Sequence, residues 1–249
     1  MRHIEEFWPA PNARPILHSD EVHVWRADLL LSESQLALLQ SWLSEEERQR
    51  AERFHFPNHR SLFIARHGIL RSILSSYIPL SPDLFEFSYN VYGKPELKNQ
   101  DKHGLSFSLS HRNRSAIYAV ALSRKIGIDI EQIRSDFDCL NLAKHFFAPG
   151  EIEALSSLPT DKQEDAFFRC WTRKEAYVKA TGHGLSLPLR NFEVSLDPKE
   201  QTPIWTPQKS EEWFAFSLCP FPNTIAALAV EGNPRLQFWS YSFSRPPIV

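Results

Sequence analysis

Two stretches of this 249-residue chain repeat one pattern. FSLSHRNRSAIYAVAL, beginning at Phe107, and FSLCPFPNTIAALAV, beginning at Phe216, each read as a strand, a polar turn and a more apolar strand. A chain that carries the same hairpin in both halves is expected to fold as two related modules; chance likeness of two hairpins is the alternative. The basic pair Arg124 and Lys125 is the expected junction, which puts IGIDIE, Ile126 to Glu131, on the first strand of the second module. Clefts between modules are common ligand sites.

The rest of the chain fits an α+β fold made of two similar α/β modules. Residues 1–20 are proline-rich and read as irregular, residues 21–124 as the N-terminal module and residues 125–249 as the C-terminal module. EVHVWRADL alternates as a strand does. SESQLALLQSWLSEEERQRAERF follows with helical spacing, and Ser44 with Glu47 forms a capping box that starts a new helix. HRSLFIARHGILRSILSSYI is a further helix. In the second half, NLAKHFFAPGEIEALSSL reads as two short helical pieces broken at Pro149, and DKQEDAFFRCWTRKEAYVKATG as a long helix ended by Gly182.

Composition excludes several classes. Hydrophobic residues are 42% and charged residues 23%, as in ordinary globular domains. A net charge of -2 removes the electrostatic case for a nucleic-acid partner. No apolar run reaches the roughly 18 residues of a membrane span, and the start lacks a secretion-type apolar core. Cys139, Cys170 and Cys219 are too scattered for a metal-ligand or disulfide framework. A cytoplasmic location is the expectation.

The acidic residues of IGIDIE carry the first chemical signal. On a strand, Ile126, Ile128 and Ile130 face one side, and Gly127, Asp129 and Glu131 the other. Two like charges then stand about 7 Å apart on a segment whose neighbours favour burial. A solvent-facing edge strand would tolerate this, and so would a cation held between the carboxylates. The long helix supplies a third carboxylate: in WTRKEAYVK, Glu175 and Lys179 are neighbours on one face. An ordinary ion pair on an amphipathic helix is the plainer reading of that pair. Together, three carboxylates with lysines nearby suit a hard divalent cation such as Mg²⁺, which takes oxygen ligands and shares its shell with phosphates.

Six arginines, Arg48, Arg50, Arg53, Arg60, Arg66 and Arg71, lie in two consecutive helices without a lysine. Most pair with Glu45, Glu46, Glu47 and Glu52 on a solvated face. Arginine also grips phosphate bidentately, and Arg53 and Arg60 are the candidates for a ligand phosphate. YGKP, Tyr92 to Pro95, is a turn, and SLSH brings Ser110 and His111 to a strand end.

In chain order, RFHFPNHRSLFIARHGILR, YGKP, FSLSH, IGIDIE, FFAPGEIEAL and WTRKEAYVKATGHGLSLPL closely resemble the 4'-phosphopantetheinyl transferases of the longer, surfactin-synthetase-activating type. The likeness covers about residues 20–230, and the pairing of IGIDIE with WTRKEAYVK at their separation is its most specific part. It implies a monomer of two halves in pseudo-two-fold arrangement, with the site at the seam. It implies transfer of the 4'-phosphopantetheine arm of coenzyme A to a serine of an apo acyl or peptidyl carrier protein, releasing 3',5'-ADP. Residue by residue, it implies that Asp129, Glu131 and Glu175 hold Mg²⁺ or Mn²⁺, and that Lys174 and Lys179 contact the pyrophosphate and pantetheine side. Ser110 and His111 would lie beside the CoA phosphates, and Lys94 and Pro95 would border the adenine. Glu151 would be the base for the carrier serine, with a water on the metal as the alternative, so that Glu151, Glu175 and Lys179 carry the catalysis. Relatives often have lysines where this chain reads SEEERQR, so Arg48 and Arg50 are the expected substitutes there. Two rivals use the same residues: a Mg²⁺-dependent pyrophosphatase acting on CoA or a nucleotide, and a silent module that binds carrier proteins or CoA.

Overall fold

The computed structural model describes residues 7–98, 104–199, 201–206 and 212–243. In the first half, β1 (Glu21–Asp28) leads to α1 (Glu33–Ser41), α2 (Glu45–Glu52) and α3 (Pro57–Ser75). A short ribbon, β2 (Phe87–Tyr89) with β3 (Pro95–Leu97), precedes the hairpin β4 (Leu105–Arg112) and β5 (Ser115–Leu122). The second half repeats the order: β6 (Ile126–Gln132), α4 (Cys139–Phe146), α5 (Pro149–Ser156), α6 (Thr160–Thr181), the pair β7 (Glu193–Val194) and β8 (Gln201–Trp205), then the hairpin β9 (Trp213–Leu218) and β10 (Thr224–Glu231). A last strand, β11 (Arg235–Ser240), follows.

The sheets show why the two hairpins resemble each other. One sheet runs β11-β1-β5-β4 and the other β6-β10-β9-β8-β7, so β1, β4 and β5 hold the places that β6, β9 and β10 hold in the second. The pairing of β1 with β5 and of β6 with β10 is antiparallel in both. The division at residue 124 is corrected by β11, which leaves its own half and pairs in parallel with β1, Glu21 opposite Arg235. The described part of the segment before β1, residues 7–20, is anchored: Trp8 is buried against Phe238 of β11, and the Ser240 amide donates to the Pro9 carbonyl.

Three apolar clusters order these parts into helices, sheet, sheet, helices. Trp25, Leu39, Phe63, Ile69, Tyr118 and Val120 join α1 and α3 to the first sheet. Phe167, Tyr177, Phe192, Ala227 and Ala229 join α6 to the second. Between the sheets lie Val22, Val24, Ile117 and Ala119 from one side and Ile126, Ile128, Ile130, Ala226 and Leu228 from the other. Period-two alternation along β5 and β10 thus serves two apolar interfaces per strand, whereas β6 gives only its isoleucine face to the core. Full burial of each large aliphatic side chain contributes about 1.5–3 kcal/mol, so separating the halves would be strongly unfavourable.

Local signals held where they were strongest. Ser44 and Glu47 cap α2 reciprocally, and Gly182 ends α6 in the left-handed conformation at φ 71°. The apolar alternation of FEVSL, Phe192 to Leu196, yields only the two-residue strand β7.

Candidate active site

β4 and β6 are edge strands of different sheets, and serine side chains of β4 join them. Ser108 Oγ accepts the Ile128 amide at 3.1 Å, and Ser110 Oγ donates to Asp129 Oδ1 at 2.9 Å. This satisfies part of an edge that would otherwise present unpaired backbone groups. On the face of β6 that Asp129 shares, a Cβ on Gly127 would stand 2.1 Å from the Ala176 carbonyl oxygen and 2.2 Å from the Ala180 amide nitrogen. Glycine there lets α6 lie directly on the strand. Ile126, Ile128 and Ile130 point into the inter-sheet core, so Asp129 and Glu131 are turned toward α6, as the alternation requires.

Asp129 is 5% exposed, which rules out the solvent-facing edge strand. Its Oδ1 receives Lys179 Nζ at 2.6 Å, and the same ammonium donates to Ser110 Oγ at 2.9 Å. Its Oδ2 is buried and has no hydrogen-bond partner. A buried, unpartnered carboxylate oxygen is costly unless something positive completes it. Glu131 pairs with Arg112 at 3.4 Å. Burial, and next the charge of Asp129, push the Glu131 carboxyl above its ordinary range. The Glu175 carboxyl is likewise raised, by burial first and then by Asp129, with Lys179 opposing and Glu131 adding to the rise. The three carboxylates therefore feel one another. Among the described residues no group of three or more acidic, histidine or cysteine side chains is placed so that, as the side chains stand, it could hold a metal ion.

Cations gather on the other side. Arg66 of α3 donates from Nη1 to His111 Nε2 at 2.5 Å. A guanidinium can only donate, so His111 Nε2 is the acceptor and Nδ1 carries the proton. Burial, then Arg66, Lys179, His67 and Arg112 in turn, lower the His111 pKa to about 4, so the imidazole is neutral near pH 7. Arg66 and Arg50 both stack over Phe63, at 5.0 and 5.6 Å. A cleft of about 320 Å³ is lined from one half by Tyr92, Lys94, Pro95 and Phe107 and from the other by Glu175 and Lys179.

Several expected contacts fall elsewhere. Lys174 is 0% exposed and does not face the cleft: its Nζ donates to the Leu189 and Phe192 carbonyls at 2.7 Å and pairs with Glu151 at 2.8 Å. Glu151, 3% exposed, accepts from the amides of Ala148 and Val194 at 2.8 Å. Both carboxylate oxygens are committed, so Glu151 does not present a free base. Lys174 and Glu175 are consecutive, and on a helix one step is about 100° of rotation, enough to send the two side chains to different surroundings. Arg53 is exposed at the end of α2 and Arg60 half-buried in the first turn of α3. Arg66, not either of these, is the arginine bonded to His111; position along α3 decides this, and the residue type gave no way to choose among six. Arg48 pairs with Glu45. Lys94 lines the cleft with its stem, while its Nζ donates to the carbonyls of Ile126 at 3.2 Å and Ala180 at 3.0 Å.

Sequence comparison gives the class of protein that carries this set of acidic and basic side chains. A sequence model described as the 4'-phosphopantetheinyl transferase superfamily matches residues 125–228, and one described as the 4'-phosphopantetheinyl transferase N-terminal region matches residues 29–123. The chain is 43% identical to the 4'-phosphopantetheinyl transferase HetI of Nostoc sp., over 96% of this chain and 100% of the relative. It is 34% identical to the 4'-phosphopantetheinyl transferase Sfp of Bacillus subtilis, over 72% of this chain and 78% of that one. The 4'-phosphopantetheinyl transferase gsp of Aneurinibacillus migulanus is 31% identical over 77% and 82%. The chain belongs to the 4'-phosphopantetheinyl transferase superfamily.

Proposed function

We propose that this protein transfers the 4'-phosphopantetheine moiety of coenzyme A to a serine of apo acyl or peptidyl carrier proteins, giving holo carrier protein and 3',5'-ADP. The observation that carries the reading is Asp129: buried, bonded through Oδ1 to Ser110 and Lys179, and bare at Oδ2.

Asp129, Glu131 and Glu175 would hold Mg²⁺ or Mn²⁺, which when bound neutralises diphosphate charge as the β-phosphorus is attacked. The protein's own groups account for the rest. Attack by the carrier serine hydroxyl forms an O–P bond, breaks the bond to the bridging oxygen, which leaves with 3',5'-ADP, and releases the hydroxyl proton to water. Lys179 stands where that developing charge would lie, already oriented by Asp129 and Ser110. Arg66 and the neutral His111 form a donor pair for a CoA phosphate, Arg66 with its remaining N–H groups and His111 through Nδ1–H. The apolar cleft walls, Pro95, Phe107, Leu109 and Val178, suit the adenine or the arm. Carrier docking falls on the α4 face, where exposed Phe146 packs edge-on against Trp171 beside Lys144 and His145; that combination fits an acidic, partly apolar partner. The protein acts as a monomer in the cytoplasm; no helix among the described residues is long and apolar enough to cross a membrane.

The deciding experiment incubates the protein with CoA, Mg²⁺ and apo carrier proteins from fatty-acid, polyketide and peptide synthesis, and reads the carriers by mass spectrometry. Gain of the arm's mass on the serine is the expected result. Free phosphopantetheine with an unmodified carrier would select the pyrophosphatase, and unchanged CoA the silent binder.

A further inference from the structure

The last turn of a helix leaves carbonyls without intrahelical partners. In α6, which carries Glu175 and Lys179, two such groups are met by side chains from the other half of the molecule. Lys94 Nζ donates to the Ala180 carbonyl and also to the Ile126 carbonyl at the start of β6. Asn90 Nδ2 donates to the Gly182 carbonyl at 2.9 Å. The turn that carries both is rigid. Asn90 Oδ1 accepts the amides of Tyr92 and Lys94, at 2.9 and 3.0 Å, and the Asn90 amide donates to the Lys94 carbonyl. Gly182 is fitted to this contact, since a Cβ there would lie 2.9 Å from Asn90 Nδ2. Tyr92 meets the same end of the helix, 5.9 Å centroid to centroid from His183.

The ribbon β2–β3 that carries the turn belongs to neither large sheet. Phe87 and Leu97 anchor the ribbon in the first apolar core, and its turn reaches α6 through these side-chain bonds. Lys94, Pro95, Phe107 and Gly182 also line both the active-site cleft and a neighbouring cavity of about 420 Å³, so this junction is the partition between them.

We propose that Lys94 and Asn90 form a latch that caps α6 from the opposite half of the molecule and sets the width of the CoA cleft. Lys94 is then a positioning residue, its ammonium spent on backbone carbonyls. The effect on CoA rests on the transferase reading; the latch does not. The test compares Lys94→Met, Asn90→Ala and the double variant by hydrogen exchange and by steady-state kinetics with CoA. Loss of the latch should speed exchange at the amides of Tyr92, Lys94 and Gly182 in each single variant. It should also raise KM for CoA about tenfold with kcat nearly kept, since only one or two hydrogen bonds are removed. The double variant should be no worse than the worse single one, because both residues serve one contact. Unchanged exchange in both single variants would overturn the latch. So would a raised KM in Lys94→Met alone, which would show that Lys94 touches CoA directly. A wild-type protein that neither binds nor turns over CoA would sink the transferase reading, and exchange would still decide the latch.

Discussion

Replacing Glu151 by glutamine separates a structural carboxylate from a catalytic one. The carboxylate accepts the Ala148 amide, the Val194 amide and the Lys174 ammonium, each at 2.8 Å, and is almost wholly enclosed. An amide has one oxygen, so its NH₂ must face a donor on one side, and Lys174 loses its only carboxylate while remaining bonded to two carbonyls. Breaking a buried ion pair from one side costs about 3–5 kcal/mol. For a chain of this size each kcal/mol shifts Tm by about 2–4 °C, so Glu151→Gln should melt about 6–20 °C lower. Lys174→Met with Glu151→Met should recover part of that loss, since no buried charge is left over. Thermal melts monitored by circular dichroism give the stability, and transfer measured at a temperature where the variant stays folded gives the rate per folded molecule. The structural reading expects kcat within about threefold of wild type, because the carboxylate does not face the cleft. A folded Glu151→Gln protein with nearly unchanged Tm and a rate down by the 100-fold or more typical of a lost general base would refute it.

Other perturbations address the remaining contacts. Asp129→Asn should reduce transfer by at least about 100-fold while the melt stays cooperative, because it weakens a charge-stabilising group; calorimetric titration with Mn²⁺ should show weaker binding, and normal binding would remove Asp129 from the ligand set. Gly127→Ala places a methyl group 2.1 Å from the Ala176 carbonyl oxygen, so α6 must lift from β6, and urea melts should show a loss of more than about 3 kcal/mol. Buried His23, bonded to Tyr77, has its pKa lowered to about 4, chiefly by burial, against 6.5 when unfolded. The folded state thus resists the proton that the unfolded state takes up. Its contribution is whole above pH 6.5 and is lost as the pH falls toward 4, by about 3 kcal/mol in all. Urea melts across that range should show a shallower acid slope for His23→Gln than for wild type, and identical slopes would contradict the assignment.

The sequence alone determined the elements whose reasons are local. Alternation in IGIDIE settled which side chains share a face, the box at Ser44 and Glu47 settled where α2 begins, and the repeated hairpin revealed two related halves, since in each case the informative residues are neighbours along the chain. That Asp129 shares a face with Glu131, and Glu175 with Lys179, was legible for the same reason, from strand and helix spacing. Tertiary structure alone decided what those spacings do not encode. Lys174 and Lys179 sit in one motif on one helix, and only the packing of α6 between β6 and the 189–194 segment sends the first into a buried pair with Glu151 and the second to Asp129. The choice of Arg66 among six similar arginines, the return of β11 to the first sheet, and the capping of α6 by Lys94 and Asn90 have the same cause. Each depends on contacts between residues far apart in the chain, and such contacts are selected by the shape and burial of the whole fold, which no local pattern records.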